Sequence, residues 1–230
     1  MDTVIPTEKA KSIVGFSVES LVEAMGGSLY PLLNAITNGA IKGIVAIVGC
    51  TNVKSGHDKI TVPLAKELIK RDILVVTAGC TSSALENVHL MDLYAYNQAG
   101  DGLKEVCKTL GVPPCLNFGA CLSIGRIEEA VSAIADALNV DISELPVVAS
   151  APQYLEEQAL PDAIFATSLG LLTHVAPAPP VTGSELVAKT LTKDLEKLIG
   201  GRILIEEDPI KAANLIEEHI INKRVALGLK

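Results

Sequence analysis

Three segments of the chain share one design, in which an apolar run ends in glycine and a cysteine follows directly or after one residue. They span residues 44–50, 73–80 and 115–121, and they end at Cys50, Cys80 and Cys121. Each run is short, aliphatic and followed by a helical pattern, which is typical of a buried parallel strand. In an open α/β sheet, ligands bind outside the carboxyl ends of the strands. We therefore expect the three thiols to converge at one edge of a sheet.

The alternation of strand and helix patterns predicts a doubly wound, Rossmann-like α/β fold, with a mostly parallel sheet and helices on both faces. A hydrophobic fraction of 49% with only 3% aromatic residues indicates an aliphatic core, as such a sheet requires. We expect an N-terminal helical segment over residues 1–40, packed on a single metal-cluster domain over residues 41–230. No Gly-x-Gly-x-x-Gly motif follows a predicted strand, so the dinucleotide-binding fingerprint is absent.

Further elements follow from local patterns. Additional strands are predicted over residues 146–149, 163–169 and 202–206, and two capping boxes, at residues 83–86 and 182–185, predict helix starts. Other helices are predicted over residues 16–40 (with a break at Gly26-Gly27), 60–71, 101–110, 127–138 and 208–223.

Composition and charge exclude several classes of partner. The net charge is −8 and no basic run is longer than the two residues of Lys223-Arg224, so we expect no nucleic-acid partner. Every apolar run is shorter than a membrane span, which predicts no membrane insertion. The N-terminus lacks the apolar stretch of a secretory signal, so we expect a cytoplasmic protein. Five cysteines, an odd number, argue against a disulfide framework.

Thiols gathered in a chain without a secretory signal suggest an iron–sulfur or related metal centre. The glycines would let the backbone approach a bulky cluster, and helix N-termini after the cysteines would favour thiolates. Cys107 lies on an apolar helical face and Cys115 begins its strand, so core packing is the interpretation for both. His174 follows the predicted strand 163–169, where it could line the site or be an ordinary hydrogen-bonded loop residue.

Motifs spread over nearly the whole chain resemble the C-terminal region of nickel-dependent carbon monoxide dehydrogenase. They keep that family's order and lie at residues 49–54, 65–76, 79–80, 119–121, 138–146, 173–175, 179–184 and 208–213. In that family this region is the last Rossmann-like domain of a longer catalytic subunit. Its three cysteines bind a nickel–iron–sulfur cluster that converts CO and water into CO2, two protons and two electrons. The resemblance implies that Cys50 and Cys80 hold irons and that Cys121 holds nickel.

The chain departs from that family in two ways. The other cluster ligands and the electron-transfer clusters of the family belong to preceding domains that this sequence does not contain. A family lysine associated with proton transfer is replaced by Gln158, whose amide can donate hydrogen bonds but cannot shuttle a proton. In addition, residues 117–121 read Asn-Phe-Gly-Ala-Cys where the family often has His-Met-Gly-Ser-Cys.

These observations favour a carbon monoxide dehydrogenase-like domain that is incomplete or impaired alone, with Gln158 and His174 as the candidate catalytic positions. One alternative is a metal-binding or assembly protein with an ordinary 4Fe-4S cluster. The other is a metal-free α/β interaction domain. We expect CO, CO2 and water as small substrates. We also expect a redox partner and a covered crevice, through a homo-oligomer or a partner chain, because an open cluster is labile.

Overall fold

Six short aliphatic runs form one sheet in the computed structural model, which describes residues 11–156, 158–181 and 183–230. All neighbouring strands are parallel and lie in the order β3-β2-β1-β4-β5-β6. The strands are β1 (Gly43–Gly49), β2 (Ile73–Gly79), β3 (Cys115–Asn117), β4 (Val147–Ala151), β5 (Leu172–Val175) and β6 (Arg202–Ile205). This order is that of a Rossmann-like sheet, with the change of winding direction between β1 and β4.

Helices cover both faces of the sheet, as predicted. The α-helices are α1 (Val18–Ala24), α2 (Tyr30–Thr37), α3 (Thr61–Lys70), α4 (Cys80–Asn87), α5 (Asp101–Leu110), α6 (Ile124–Leu138), α7 (Ala159–Ser168), α8 (Glu185–Lys189), α9 (Leu195–Ile199) and α10 (Pro209–Ala226). A π-helical segment, Thr190–Asp194, joins α8 to α9, and short 3-10 turns span Leu93–Gln98, Cys121–Ser123 and Ile142–Glu144.

The described part of the N-terminal segment shares its core with the sheet. Leu21 of α1 and Leu32 of α2 are buried in the same hydrophobic cluster as the central strand residues Val45 and Ile47. Residues 1–10 lie outside the described residues, and the division of the chain at residues 40 and 41 stays a prediction.

The strand predicted over residues 163–169 is wrong. Residues 163–168 belong to α7 and Leu169 is its C-cap, and the fifth strand is β5, which begins at Leu172. A short apolar run is compatible with either a buried strand or a buried helix, so periodicity alone could not distinguish them. His174 consequently lies within a strand, not in a loop beyond one.

Two helix starts also differ from the capping-box predictions. Helix α4 begins at Cys80 with Gly79 as its N-cap, so the box at residues 83–86 lies inside the helix. Helix α8 begins at Glu185, and its N-cap Ser184 accepts a hydrogen bond from the backbone N–H of Val187. Thr182, the first residue of the second box, is outside the described residues.

Within residues 11–156, 158–181 and 183–230, no helix is both long enough and apolar enough to cross a membrane.

Candidate metal centre

Cys50 lies at the carboxyl end of β1, where the winding direction of the sheet changes, and it is 8% exposed. The backbone N–H of Glu156, from the segment after β4, lies 3.4 Å from Cys50 Sγ and donates to it. Nearby, the side-chain amide of Asn52 donates to the carbonyl of Tyr154 at 3.0 Å. The segment after β4 therefore closes over the Cys50 loop.

Gln153, in the segment after β4, forms hydrogen bonds with the loop that follows Cys50. It was not among the site residues predicted from the sequence. It is fully buried, and its Oε1 accepts from the backbone N–H groups of Ile60 and Thr61, at 3.1 and 3.3 Å. Its Nε2 donates to Ser55 Oγ at 3.2 Å and to the carbonyl of Gly56 at 2.8 Å. The available signal was a polar residue directly after a strand end, where functional side chains of α/β sheets collect.

The turns that carry Cys80 and Cys121 touch each other through Gly79. A Cβ atom at Gly79 would lie 2.7 Å from Cys121 Sγ and 2.9 Å from the carbonyl oxygen of Gly49. The backbone N–H of Gly79 donates to the carbonyl of Gly119 at 2.9 Å. Since Gly49 precedes Cys50, this glycine brings all three cysteine turns to one place at the carboxyl edge of the sheet.

The pKa of the Cys80 thiol reflects this proximity. Partial burial raises it, and the neighbouring Cys121 and Cys50 thiols and the Glu156 carboxylate raise it further. Cys80 is therefore protonated when no metal is bound. Metal binding would release that proton, because thiols ligate metals as thiolates and a cation reverses the local electrostatics.

The predicted helix N-termini are present behind only two of the cysteines. Cys80 is the first residue of α4, and Cys121 opens the 3-10 turn that leads into α6. Cys50 differs, because an irregular segment over residues 51–60 separates it from α3. For Cys50, the hydrogen bond from Glu156 takes the place of the helix end as a donor to sulfur.

Gln158 is exposed immediately before α7, on the segment that closes over Cys50. Its side-chain amide donates to Asp162 Oδ1 at 3.0 Å. A side-chain hydrogen bond from residue i to residue i+4 at a helix start is an ordinary local contact, and it leaves the side-chain oxygen Oε1 of Gln158 available for other partners.

His174 is fully buried, and both of its ring nitrogens have partners. Nε2 lies 2.7 Å from the carbonyl oxygen of Glu206, and Nδ1 lies 2.8 Å from Ser150 Oγ. Since a carbonyl only accepts, Nε2 carries the proton and Nδ1 accepts from the Ser150 hydroxyl. Burial lowers the pKa of His174, which keeps the ring neutral. In this arrangement the imidazole links β4, β5 and the segment after β6.

The remaining two cysteines lie in the core. Cys107 is 1% exposed and Cys115 is fully buried. Burial raises the pKa of Cys107 to about 12 and raises that of Cys115 as well. Both are therefore protonated thiols at neutral pH.

The donor atoms at the edge of the sheet are thiols, the ligand type that iron–sulfur clusters take. Among the residues that the structure describes, no three His, Cys, Asp or Glu side chains are grouped closely enough to hold one metal ion. A cluster of several metal and sulfide atoms takes thiolate ligands and separates them more widely than one ion does. Three cysteine turns that meet at a glycine without a side chain are compatible with such a group.

A cavity of about 60 Å³ lies between α6, α7 and the sheet, and its lining reaches Gly49, the residue before Cys50. Its walls are almost wholly apolar and include Ala46, Val48 and Ala149. It offers no cluster of chemically reactive groups, so the thiol edge is the candidate site.

Comparison with known proteins gives one consistent result. The model of the Prismane/CO dehydrogenase family matches residues 3–210. A carbon monoxide dehydrogenase of Methanocaldococcus jannaschii is 57% identical over 223 residues, which are 96% of this chain and 36% of that protein. The Ni-free crystal structure of carbon monoxide dehydrogenase from Thermococcus sp. AM4 superimposes with a TM-score of 0.96 at 50% identity, covering 99% of this chain and 36% of that one. Carbon monoxide dehydrogenase IV from Carboxydothermus hydrogenoformans gives a TM-score of 0.93 at 46% identity, and the match covers 98% of this chain and 38% of that one. The chain thus spans little more than a third of the length of these relatives.

Proposed function

Because the chain belongs to the Prismane/CO dehydrogenase family, we propose that it supplies Cys50, Cys80 and Cys121 as thiolate ligands to a nickel–iron–sulfur cluster for the interconversion of CO and CO2. The observation that carries this proposal is the contact of all three cysteine turns at Gly79. When bound, the cluster would supply the redox chemistry that turns CO and water into CO2, two protons and two electrons.

The protein's own groups would hold and orient the sulfurs. Cys80 would lose its proton on binding, and the Glu156 N–H would donate to the Cys50 thiolate. Such a hydrogen bond draws electron density from the sulfur, which is one of the ways proteins adjust the potential of a cluster.

Gln158 is the residue that would limit turnover. The family's proton carrier at this position is a lysine, and an amide cannot release or take up a proton near neutral pH. Gln158 could still donate its N–H to a bound oxygen atom if its contact with Asp162 opened. We therefore propose that ligand binding survives here and that CO oxidation is weak.

Exposed apolar side chains lie next to two of the cysteines at the edge of the sheet. Leu122, next to Cys121, is 99% exposed, and Val53, near Cys50, is 67% exposed. Exposed apolar side chains mark an interaction surface when they form a contiguous patch, and these two flank the cysteine turns. We propose that a second copy, or a partner with the remaining cluster ligands, covers this edge.

The first experiment is anaerobic purification followed by analysis of nickel, iron and sulfide. We expect iron and sulfide with nickel in the wild-type chain, and loss of all three when Cys50, Cys80 and Cys121 are replaced by serine. A Cys107→Ala variant is the matched control, since that thiol is in the core and should leave metal content unchanged. Unchanged iron in the triple variant would contradict the ligand assignment.

The same measurement distinguishes the second candidate function, an iron–sulfur protein without CO chemistry. The loss of the family lysine at Gln158 favours this alternative, because it removes a group needed for turnover but not for holding iron. Iron and sulfide without nickel would support it. A wild-type chain that binds neither metal, also when its partner is supplied, would indicate the metal-free interaction domain instead.

The Gln158 proposal predicts a gain of activity. With the cluster loaded and any partner supplied, Gln158→Lys should increase viologen-linked CO oxidation about 10²–10⁴-fold, the usual contribution of a positioned acid–base group. Gln158→Ala is the control and should give no increase. Wild-type turnover equal to that of a lysine-containing relative would overturn the proposal.

A further inference from the structure

A network of buried hydroxyl and amide groups lies directly behind the Cys80 and Cys121 turns. Its side chains are at most 9% exposed, and they belong to Thr77, Thr81, Ser82 and Asn117. Buried polar groups of this kind fix one local conformation when their hydrogen bonds are made. None of the proposed ligands belongs to the network, so its role is a separate question.

Asn117 joins the two turns through one oxygen atom. Its Oδ1 accepts from the backbone N–H of Gly119 at 2.8 Å and from the hydroxyl of Ser82 at 3.3 Å. Gly119 is two residues before Cys121, and Ser82 is two residues after Cys80. A shift of either turn would therefore break a hydrogen bond to the same acceptor.

The hydroxyls continue the network toward the Cys50 strand. Thr77 Oγ1 lies 3.5 Å from Ser82 Oγ and 3.2 Å from Thr81 Oγ1. The Thr81 hydroxyl in turn shares its proton between the carbonyl oxygens of Ile47 in β1 and Ala78 in β2, each 3.1 Å from Oγ1. The network thus connects the ends of three adjacent strands, each of which leads to one cysteine.

We propose that Asn117 is a positioning residue that keeps the Cys80 and Cys121 sulfurs at the spacing a cluster requires. The proposal rests on the proposed function and adds a residue to it. Asparagine occupies a position where the resembled family often has histidine, so this arrangement follows from the chain's own sequence. The Asn117 side chain acts through the two turns and needs no contact with metal.

The first test uses metal-free protein. A short bifunctional alkylating reagent links two thiols only when they lie side by side, and mass spectrometry identifies the linked peptides. We expect efficient linkage of Cys80 to Cys121 in the wild-type chain, measured as the yield at completion. Asn117→Leu, which removes the acceptor at similar volume, should reduce that yield at least about tenfold, because the Gly119 N–H and the Ser82 hydroxyl would lose their shared buried acceptor.

Two further variants keep the test decisive. Asn117→Asp preserves the acceptor oxygen and should keep the yield within about twofold of wild type. Ser82→Ala removes only one of the two donors and should give an intermediate yield, so it remains informative if Asn117→Leu does not fold. Thr167→Val, which removes a buried hydroxyl bond in α7, controls for a general loss of stability.

The second readout is metal retention. In protein reconstituted anaerobically with iron and sulfide, Asn117→Leu should give up iron to a competing chelator at about 10- to 100-fold lower chelator concentration. Thr167→Val should not change that concentration. If Asn117→Leu reduces the cross-linking yield but the wild-type chain binds no iron, the proposed function is rejected and the positioning role is supported. If Asn117→Leu and Ser82→Ala both show the same cross-linking yield and the same iron retention as the wild type, the positioning role is overturned.

Discussion

Glycine precedes each of the three cysteine turns because the backbone there is left-handed. The φ angles are +95° at Gly49, +86° at Gly79 and +116° at Gly119, a region that residues with a Cβ rarely adopt. At Gly79 the missing Cβ also leaves room for Cys121 Sγ. A Cβ at Gly119 would likewise lie 3.0 Å from Ser123 Oγ, so the repeated glycine is explained by conformation at all three positions and by close packing at two.

Gly79→Ala should accordingly damage the candidate site. The added methyl group would lie 2.7 Å from Cys121 Sγ on a backbone with φ of +86°, so the sulfur must move. We expect the free energy of unfolding to fall by about 1–3 kcal/mol, as for overpacking of a tight core. Iron bound per chain should fall with it, as measured after anaerobic reconstitution.

Gly125→Ala in α6 is the matched control for this change. A Cβ there would meet nothing within 4 Å, so urea unfolding should show no loss of stability and a gain of up to about 1 kcal/mol. Equal stability and equal iron content in the two variants would show that Cys121 is free to move.

The three cysteines were identifiable from sequence because the signal is local: a run, a glycine and a thiol. Gln153 and Asn117 were not, because their partners are far along the chain. The Oε1 of Gln153 accepts from Ile60, 93 positions earlier, and Asn117 accepts from Ser82, 35 positions earlier. No periodicity connects such residues before the sheet order is known.

At the scale of elements, the loop after Cys50 is held by side chains and not by secondary structure. Residues 51–60 are irregular, and Gln153 provides the acceptor for the first N–H groups of α3, which lacks a side-chain N-cap. Helix starts need such partners because their first N–H groups have none within the helix.

Gln153→Met should release this loop. Methionine has a similar length but leaves the Ile60 and Thr61 amides without an acceptor, at a cost of about 1–3 kcal/mol. We expect faster hydrogen exchange at these amides and faster alkylation of Cys50. Gln98→Met, the same change at an exposed position, should alter neither rate. Unchanged exchange at Ile60 would show that the loop holds its conformation without the amide.

Helix α10 carries a pH-sensitive element outside the site. Burial, assisted by Lys223 and Arg202, lowers the pKa of His219 to about 4. The unfolded chain keeps a value near 6.5, so it binds one more proton between these limits. The contribution of His219 to the free energy of unfolding is therefore complete above about pH 6.5 and decreases as the pH falls toward about 4.

Thermal unfolding between about pH 7 and about pH 4.5 tests this directly. The wild-type melting temperature should fall with pH, and His219→Gln should reduce the slope. Some slope should remain, because burial also lowers the pKa of His174. Gln98→Met, a change at an exposed position that carries no titratable group, should leave the slope unchanged. A slope that is identical in His219→Gln would contradict the assignment.

The elements most often misplaced from sequence were those whose burial depends on the whole sheet. The second half of helix α7 was predicted as a strand because it contains the apolar run of residues 163–166. The actual strand, β5, contains Thr173 and His174, and such polar residues made it look like a loop. His174 is tolerated there because Ser150 and the Glu206 carbonyl satisfy both ring nitrogens, a match that only the sheet order reveals.

At the scale of the whole molecule, Arg224 of α10 connects parts of the chain that are distant in sequence. It is 3% exposed, and its Nη1 donates to the carbonyls of Ile36 and Lys42, both at 2.9 Å. Its Nε donates to the carbonyl of Lys230 at 2.9 Å. The guanidinium thus fastens the end of α2, the entry to β1 and the last residue to α10, on the side of the sheet opposite the thiol edge.

Arg224→Met should therefore lower global stability without affecting the candidate metal centre. Several buried carbonyls would lose their donor, and we expect the free energy of unfolding to fall by about 3 kcal/mol, the upper range for a buried partner left unsatisfied. The free energy of unfolding of Arg224→Lys should lie between those of the wild type and Arg224→Met, since an ammonium cannot reproduce the planar fork of the guanidinium. Lys211→Met, an exposed change on the same helix, is the control and should have little effect.

Urea unfolding measures the stabilities, and linkage of Cys80 to Cys121 in the folded variant reports on the centre. Wild-type stability in Arg224→Met would mean that these carbonyls find other donors. A lost Cys80–Cys121 linkage would mean that the two ends of the sheet are mechanically coupled, contrary to the independence expected here.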